Sequence, residues 1–256
     1  MTISAFSASG LHYEIEGEGD WVIFAHGGDG NHLCWHRQVA ALKHRYRCLS
    51  YDAPGFGLSP AAATGDLLSL MDALEIGRAV LVGHSMGGLA VSGVAQQHPD
   101  RVRALVMSDT PFGFFTPALS RWASDMLVKI PAGFNVLEHL FAPGFAEAEP
   151  EAYHLYQAIC RMRLPVPAPA TPPDFSAAYI AMRDAPPVDY SAFPVPTLFI
   201  VGSEDELTLP WLIEATAQAV GGARFDVIEG AGHSPFYERT DVYNAVLSAF
   251  IAQTSV

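Results

Sequence analysis

The stretch Ala79-Val80-Leu81-Val82-Gly83-His84-Ser85-Met86-Gly87-Gly88 limits the possible folds of this chain more than any other. Its first four residues form a short apolar run, as in a strand buried on both faces. The residues that follow, Leu89 to Gln97, read as a helix. Between them a serine has glycine two places before and two places after it, the pattern G-x-S-x-G. A turn this sharp forces the serine into a strained backbone conformation, and a Cβ at either flanking position would strike the neighbouring strand or helix. The serine hydroxyl is thereby lifted out of the sheet, above the free N–H groups that open a helix. Ser85 is placed as a nucleophile, and a nucleophile of this kind needs a base, an acid and an oxyanion site from elsewhere in the chain.

The rest of the first half repeats strand and helix. Residues 2–16 alternate apolar and polar about Ser9-Gly10, which predicts an antiparallel hairpin at a sheet edge. Trp21 to Ala25 is a continuous apolar run ending in the loop His26-Gly27-Gly28-Asp29-Gly30-Asn31. A helical stripe of Trp35, Val39 and Leu42 follows. Next come a strand over Arg47 to Tyr51, the loop Asp52-Ala53-Pro54-Gly55-Phe56-Gly57, and a second stripe of Leu67, Leu68, Met71 and Leu74. After the helix behind Ser85 comes a strand at Val102 to Ser108. Such alternation implies a parallel sheet with right-handed crossovers.

From Pro111 to Pro196 the text changes to aromatics, methionines and clustered prolines, which leave room for short helices such as Leu119 to Lys129 and Glu149 to Met162 but for no buried strand. Residues 113–190 are therefore expected to form a helical cap inserted into an α/β core made of residues 1–112 and 191–256. Alternation resumes with Thr197 to Val201, a helix from Trp211 to Val220, a strand at Arg224 to Ile228 and a closing helix from Val242 to Ala252. The fold class expected is α/β, doubly wound, with a mostly parallel sheet.

Taken in order, the His-Gly loop after one strand, Asp-x-x-Gly-x-Gly after the next, Gly-His-Ser-Met-Gly-Gly, the cap, Gly-x-x-Asp and Gly-His resemble the α/β-hydrolase fold family over essentially the whole chain except the cap. The resemblance implies a triad in the order Ser85, Asp205, His233. His233, in the glycine loop Gly230-Ala231-Gly232-His233 after the last predicted strand, is the base. Asp205, in Gly202-Ser203-Glu204-Asp205, is the acid, with Asp109 after the strand at Val102 to Ser108 as the alternative that some relatives use. The oxyanion donors it implies are the backbone N–H groups of Met86 and Gly28. His26 is read as a structural ring that ties down the Gly28 loop, His84 as packing beside the turn, and Asp52 as holding its own loop. His32 and His36 stand i, i+4 as in zinc helices, but no glutamate lies between them and the sequence offers no third ligand, so no metal is expected.

The favoured activity is a cofactor-free serine hydrolase acting on a small-molecule acyl substrate, an ester or lactone. Haloalkane dehalogenases and epoxide hydrolases resemble the pattern but carry aspartate where this chain has Ser85. Carbon–carbon hydrolases of ring-cleavage products keep the serine, often with tryptophan after the histidine. Here Ser234-Pro235-Phe236 follows, although Arg121, Arg161 and Arg163 leave a cap arginine for a substrate carboxylate. A slow or non-catalytic receptor of the same fold is the alternative from a different class. A formal charge of −13 argues against nucleic acid or an anionic membrane as partner. No apolar run approaches the ~18 residues of a membrane helix, the start has no secretory pattern, and three cysteines at no metal-like spacing read as reduced thiols. A cytoplasmic monomer or homodimer is the expectation.

Overall fold

The computed structural model describes residues 2–28, 30–129, 136–164 and 176–254. Eight strands among them form one sheet: β1 (Thr2–Phe6), β2 (His12–Glu16), β3 (Asp20–Ala25), β4 (Tyr46–Tyr51), β5 (Ala79–His84), β6 (Val102–Ser108), β7 (Thr197–Gly202) and β8 (Arg224–Ile228). Their order across the sheet is β1-β2-β4-β3-β5-β6-β7-β8. The β1–β2 and β2–β4 pairs are antiparallel, and every pair from β4–β3 to β7–β8 is parallel. The hairpin anticipated at 2–16 is thus the sheet edge, turned at Gly10 with φ +89°.

The apolar runs are continuous because each strand feeds two cores at once. On β5, Ala79 and Leu81 join one cluster while Val80 and Val82 join the other. The first cluster takes in Leu67 and Met71 of α2 (Leu67–Ala73), Val91 and Ala95 of α3 (Gly87–Gln97) and Ile213 of α8 (Pro210–Ala219). The second takes in Val39 and Leu42 of α1 (His36–Leu42), Phe236 of α9 (Pro235–Glu238), and Leu247 and Phe250 of α10 (Thr240–Gln253). Helices therefore cover both faces, the doubly wound arrangement in which the carboxyl ends of the parallel strands share one edge. Onto that edge open the segments after β3, β4, β5, β6, β7 and β8, which carry His26, Asp52, Ser85, Asp109, Asp205 and His233.

Between β6 and β7 the described residues form helices and no strand: α4 (Pro117–Lys129), α5 (Phe145–Ala148), α6 (Pro150–Arg161) and α7 (Ser176–Asp184). The first and third agree with the sequence expectation to within two residues; Phe134 and the prolines at 165, 167, 169, 172 and 173 lie outside the described residues. α4 packs on α7 and α8 through Trp122, whose ring is 5.5 Å from that of Tyr179 and whose indole N–H donates to the Leu207 carbonyl at 3.1 Å. α6 is fixed to the core by Asn31, whose side-chain N–H groups donate to the carbonyls of Ile159 (2.5 Å) and Met162 (3.2 Å).

Candidate active site

The turn after β5 has the backbone that its glycines require. Ser85 has φ +48°, one of three non-glycine residues with positive φ among those described. A Cβ on Gly83 would lie against Val91 Cγ2 and 2.8 Å from the Gly87 carbonyl oxygen, and one on Gly87 would strike the Ala25 carbonyl oxygen. Met86 opens α3 in helical conformation with φ −53°, which leaves its N–H among the unpaired donors of a first turn. Gly28 lies across from it: a Cβ there would sit 3.9 Å from Met86 Sδ. The two donors expected from sequence are therefore neighbours beside the half-buried Ser85.

His26 positions the Gly28 loop. Its Nδ1–H donates to the Gly27 carbonyl at 2.7 Å and its Nε2 accepts the Ala53 N–H at 3.0 Å, so one ring joins the loops after β3 and β4. Asp52 holds its loop by accepting from the N–H groups of Leu58 (2.9 Å) and His32 (2.6 Å), as expected, and it also takes the Nδ1 atoms of His32 (2.9 Å) and His12 (3.2 Å). Burial, the largest single influence, opposes its charge, but the His32 imidazole and the Leu58 and His32 N–H groups together hold the Asp52 carboxyl below the usual carboxylate range. His32 thus faces Asp52, while His36 donates from Nδ1 to the Leu33 carbonyl, 2.9 Å away. Among the described residues, the grouping with metal-like spacing on this side is His12, Glu14 and His32. Both ring nitrogens of His12 already have partners in it, Asp52 at Nδ1 and Ser4 Oγ at Nε2, 3.0 Å away.

His233 is buried, and its Nδ1–H donates to Asp205 Oδ2 at 2.9 Å. Asp205 is itself fixed by the N–H groups of Leu207 (2.8 Å) and Thr208 (3.0 Å), and Thr208 Oγ1 lies 2.7 Å from Oδ2. The aspartate therefore caps its own turn and faces the imidazole together. Burial by itself would raise its pKa; the His233 ring and the Thr208 donors prevail and lower it. Asp109 is also buried, with φ +49°, and one of its carboxylate oxygens lies within 4.8 Å of a carboxylate oxygen of Asp205 and of a ring nitrogen of His233. It bonds elsewhere, accepting from the Gly202 N–H and the Ser108 hydroxyl, each at 2.9 Å. Burial, and then the Asp205 charge, push the Asp109 carboxyl well above the usual range.

The segments of Ser85 and His233 meet through His84, a residue the sequence places only beside the turn. His84 Nε2–H donates to the His233 carbonyl at 2.6 Å, with the two rings 4.9 Å apart. Burial, and then the neighbouring His233, drive the His84 pKa down to about 3, so the ring is neutral and Nε2–H is a dependable donor. Ser85 Oγ and the His233 ring make no hydrogen bond to each other; catalytic hydrogen bonds of this kind often tighten only in the complex with substrate. Nothing in the periodicity marks His84, because its partner is a main-chain oxygen 149 residues away.

The fold agrees with what the chain is similar to. The sequence model described as the alpha/beta hydrolase family matches residues 22–246, and the chain belongs to that family. It is 27% identical over 252 residues to the pimeloyl-[acyl-carrier protein] methyl ester esterase of Aeromonas hydrophila, covering 92% of this chain and 96% of that one. It is 35% identical over 131 residues to an epoxide hydrolase of Caballeronia sordidicola, spanning 47% of this chain but only 38% of that protein. Among solved structures, a thermophilic esterase from Thermogutta terrifontis aligns over 100% of both chains with a TM-score of 0.74 and 26% identity. The family and the three proteins just named point to hydrolase chemistry. No described helix is long and apolar enough to cross a membrane.

Proposed function

We propose that this hydrolase cleaves a small, mainly apolar ester or lactone through Ser85, His233 and Asp205, with residues 113–190 as its cap. The observation that carries the reading is the buried 2.9 Å His233–Asp205 pair, whose His233 carbonyl accepts from His84, the residue next to a strained serine. Asp205 fixes the tautomer in which Nδ1 holds the proton, leaving Nε2 to take the Ser85 hydroxyl proton as Oγ attacks the carbonyl carbon. The N–H groups of Gly28 and Met86 stabilise the oxyanion, each worth ~3 kcal/mol of barrier. The imidazolium then gives its proton to the departing alkoxide. Water, deprotonated by the same ring, frees the acid and restores Ser85. No step calls for a cofactor.

Ser85 stands where relatives that open epoxides carry aspartate, which favours acyl transfer. The cap arginines do not favour carbon–carbon cleavage of a carboxylate-bearing substrate. Arg161 is exposed and donates to Gln157 Oε1, Arg163 is exposed, and the exposed Arg121 lies over the Trp211 ring at 5.2 Å. The test is turnover of p-nitrophenyl acetate by Ser85→Ala. A loss of at least ~10³-fold with an unchanged circular-dichroism spectrum is expected; hydrolysis at the parent rate refutes the mechanism.

A further inference from the structure

Glu238 is the last residue of α9, five places beyond His233, and no part of the mechanism above uses it. Its carboxylate is largely enclosed and fully engaged. Oε1 accepts the Gly232 N–H at 2.8 Å and Oε2 accepts the Ala142 N–H at 2.8 Å, while the Ser234 N–H favours the charge from nearby. Gly232 and Ser234 are the residues on either side of His233, whereas Ala142 lies between β6 and β7, in the segment leading to α5. One side chain therefore bonds the residue before the imidazole and reaches across to the other layer.

The backbone at this point is built for contact. A Cβ on Gly232 would sit 2.5 Å from both the Ala142 nitrogen and the Phe141 carbonyl carbon, so the 141–142 segment rests directly on the glycine before the imidazole. Phe141 continues the contact, its ring 4.8 Å from Phe145, 5.1 Å from Tyr156 and 6.2 Å from Tyr237. Glu238, Ala142 and Phe145 also line a cleft of about 740 Å³, which leaves solvent next to the joint rather than apolar packing. Burial pushes the Glu238 carboxyl up to about 7, against the pull of its N–H donors and of Arg239. A surface glutamate chosen for solubility alone would carry no such desolvation.

We propose that Glu238 is a positioning residue: it joins the 141–142 segment to Gly232, the residue before His233, so the imidazole is held for proton transfer only while that segment is seated on Gly232. This rests on the hydrolase reading above, with His233 as base. The group acts as a pure acceptor with one N–H donor on each oxygen, and a glutamine turns one of its two acceptor atoms into a donor that opposes its partner. Aspartate keeps the charge with a shorter reach.

The test compares the full-length parent, Glu238→Gln and Glu238→Asp at pH 8 by two measurements. The first is amide hydrogen exchange at Ala142 and Gly232. The second is kcat and KM for p-nitrophenyl acetate. Glu238→Gln is expected to exchange faster at both amides together and to lose roughly tenfold to a hundredfold in kcat with KM changed less than about threefold, the mark of a misplaced catalytic group. Glu238→Asp should recover part of both effects. A glutamine variant with parent kcat, or with unchanged exchange at both amides, overturns the joint. So does a variant in which kcat falls only as far as the folded fraction. Full turnover by Ser85→Ala would instead overturn the hydrolase reading, while the exchange data would still decide whether Glu238 makes the joint.

Discussion

Asp205 and Asp109 are the same residue type, both buried and both within 4.8 Å of the imidazole of His233, yet their surroundings divide the work. Asp205 faces Nδ1 at 2.9 Å and is lowered by its partners, while Asp109 bonds Gly202 and Ser108 and is pushed upward by burial. Replacing Asp205 by Asn should therefore cost about 10⁴ in kcat, because the amide no longer selects the tautomer. Asp109→Asn keeps an acceptor for Gly202 and should leave kcat within about threefold. Steady-state ester hydrolysis by the two variants checks this, and the reverse order of effects would make Asp109 the acid. At this scale the residues legible in the sequence were those on turn motifs at strand ends: Ser85, His233, Asp205, Gly28, Met86. The roles of His84, Thr208 and Glu238 were not, because each acts through main-chain or carboxylate atoms that only the folded chain brings near. Gly-His-Ser is a local pattern; a histidine donating to a carbonyl 149 residues on has no local pattern at all.

Among elements, the junction of β5 with α3 carries the most constraint. Val91 in the second turn of α3 packs onto Gly83, so strand and helix approach at a distance that any side chain forbids. Gly83→Ala should destabilise the chain by about 1–3 kcal/mol through overpacking at this contact, read as a lower urea midpoint at unchanged m-value. An unchanged midpoint would mean that strand and helix have room for a methyl group at this turn. Strands β3, β5 and β7 were legible because a short, continuous apolar run bounded by glycine or proline turns is too brief for a buried helix and suits a strand covered on both faces. All of them lie within one or two residues of their expected bounds. The sheet order was not legible, since nothing in β4 says that it lies between β2 and β3. The helices between β6 and β7 could be anticipated from proline spacing, but their mutual packing, such as Trp122 on Tyr179, depends on contacts across 57 residues that no periodicity records.

For the molecule as a whole, the parallel strands bring six loops to one edge, and the chain uses that edge for its buried polar groups. His26, Asp52, His84, Asp109, Asp205 and His233 are all buried there, each with a named hydrogen-bond partner. Such a concentration of satisfied polar groups in one low-dielectric region rigidifies the site and preorganises its charges. Under the proposed function the layer between β6 and β7 is what would shape the substrate's site, and its sequence has no comparable code. Activation of the Ser85 hydroxyl by His233 is the step on which the proposed chemistry depends, and covalent labelling reads it most directly. A fluorophosphonate should attach once per chain, on the peptide containing Ser85, and His233→Ala should slow the reaction by at least ~100-fold. An adduct on another residue, or labelling at the parent rate without His233, would contradict it.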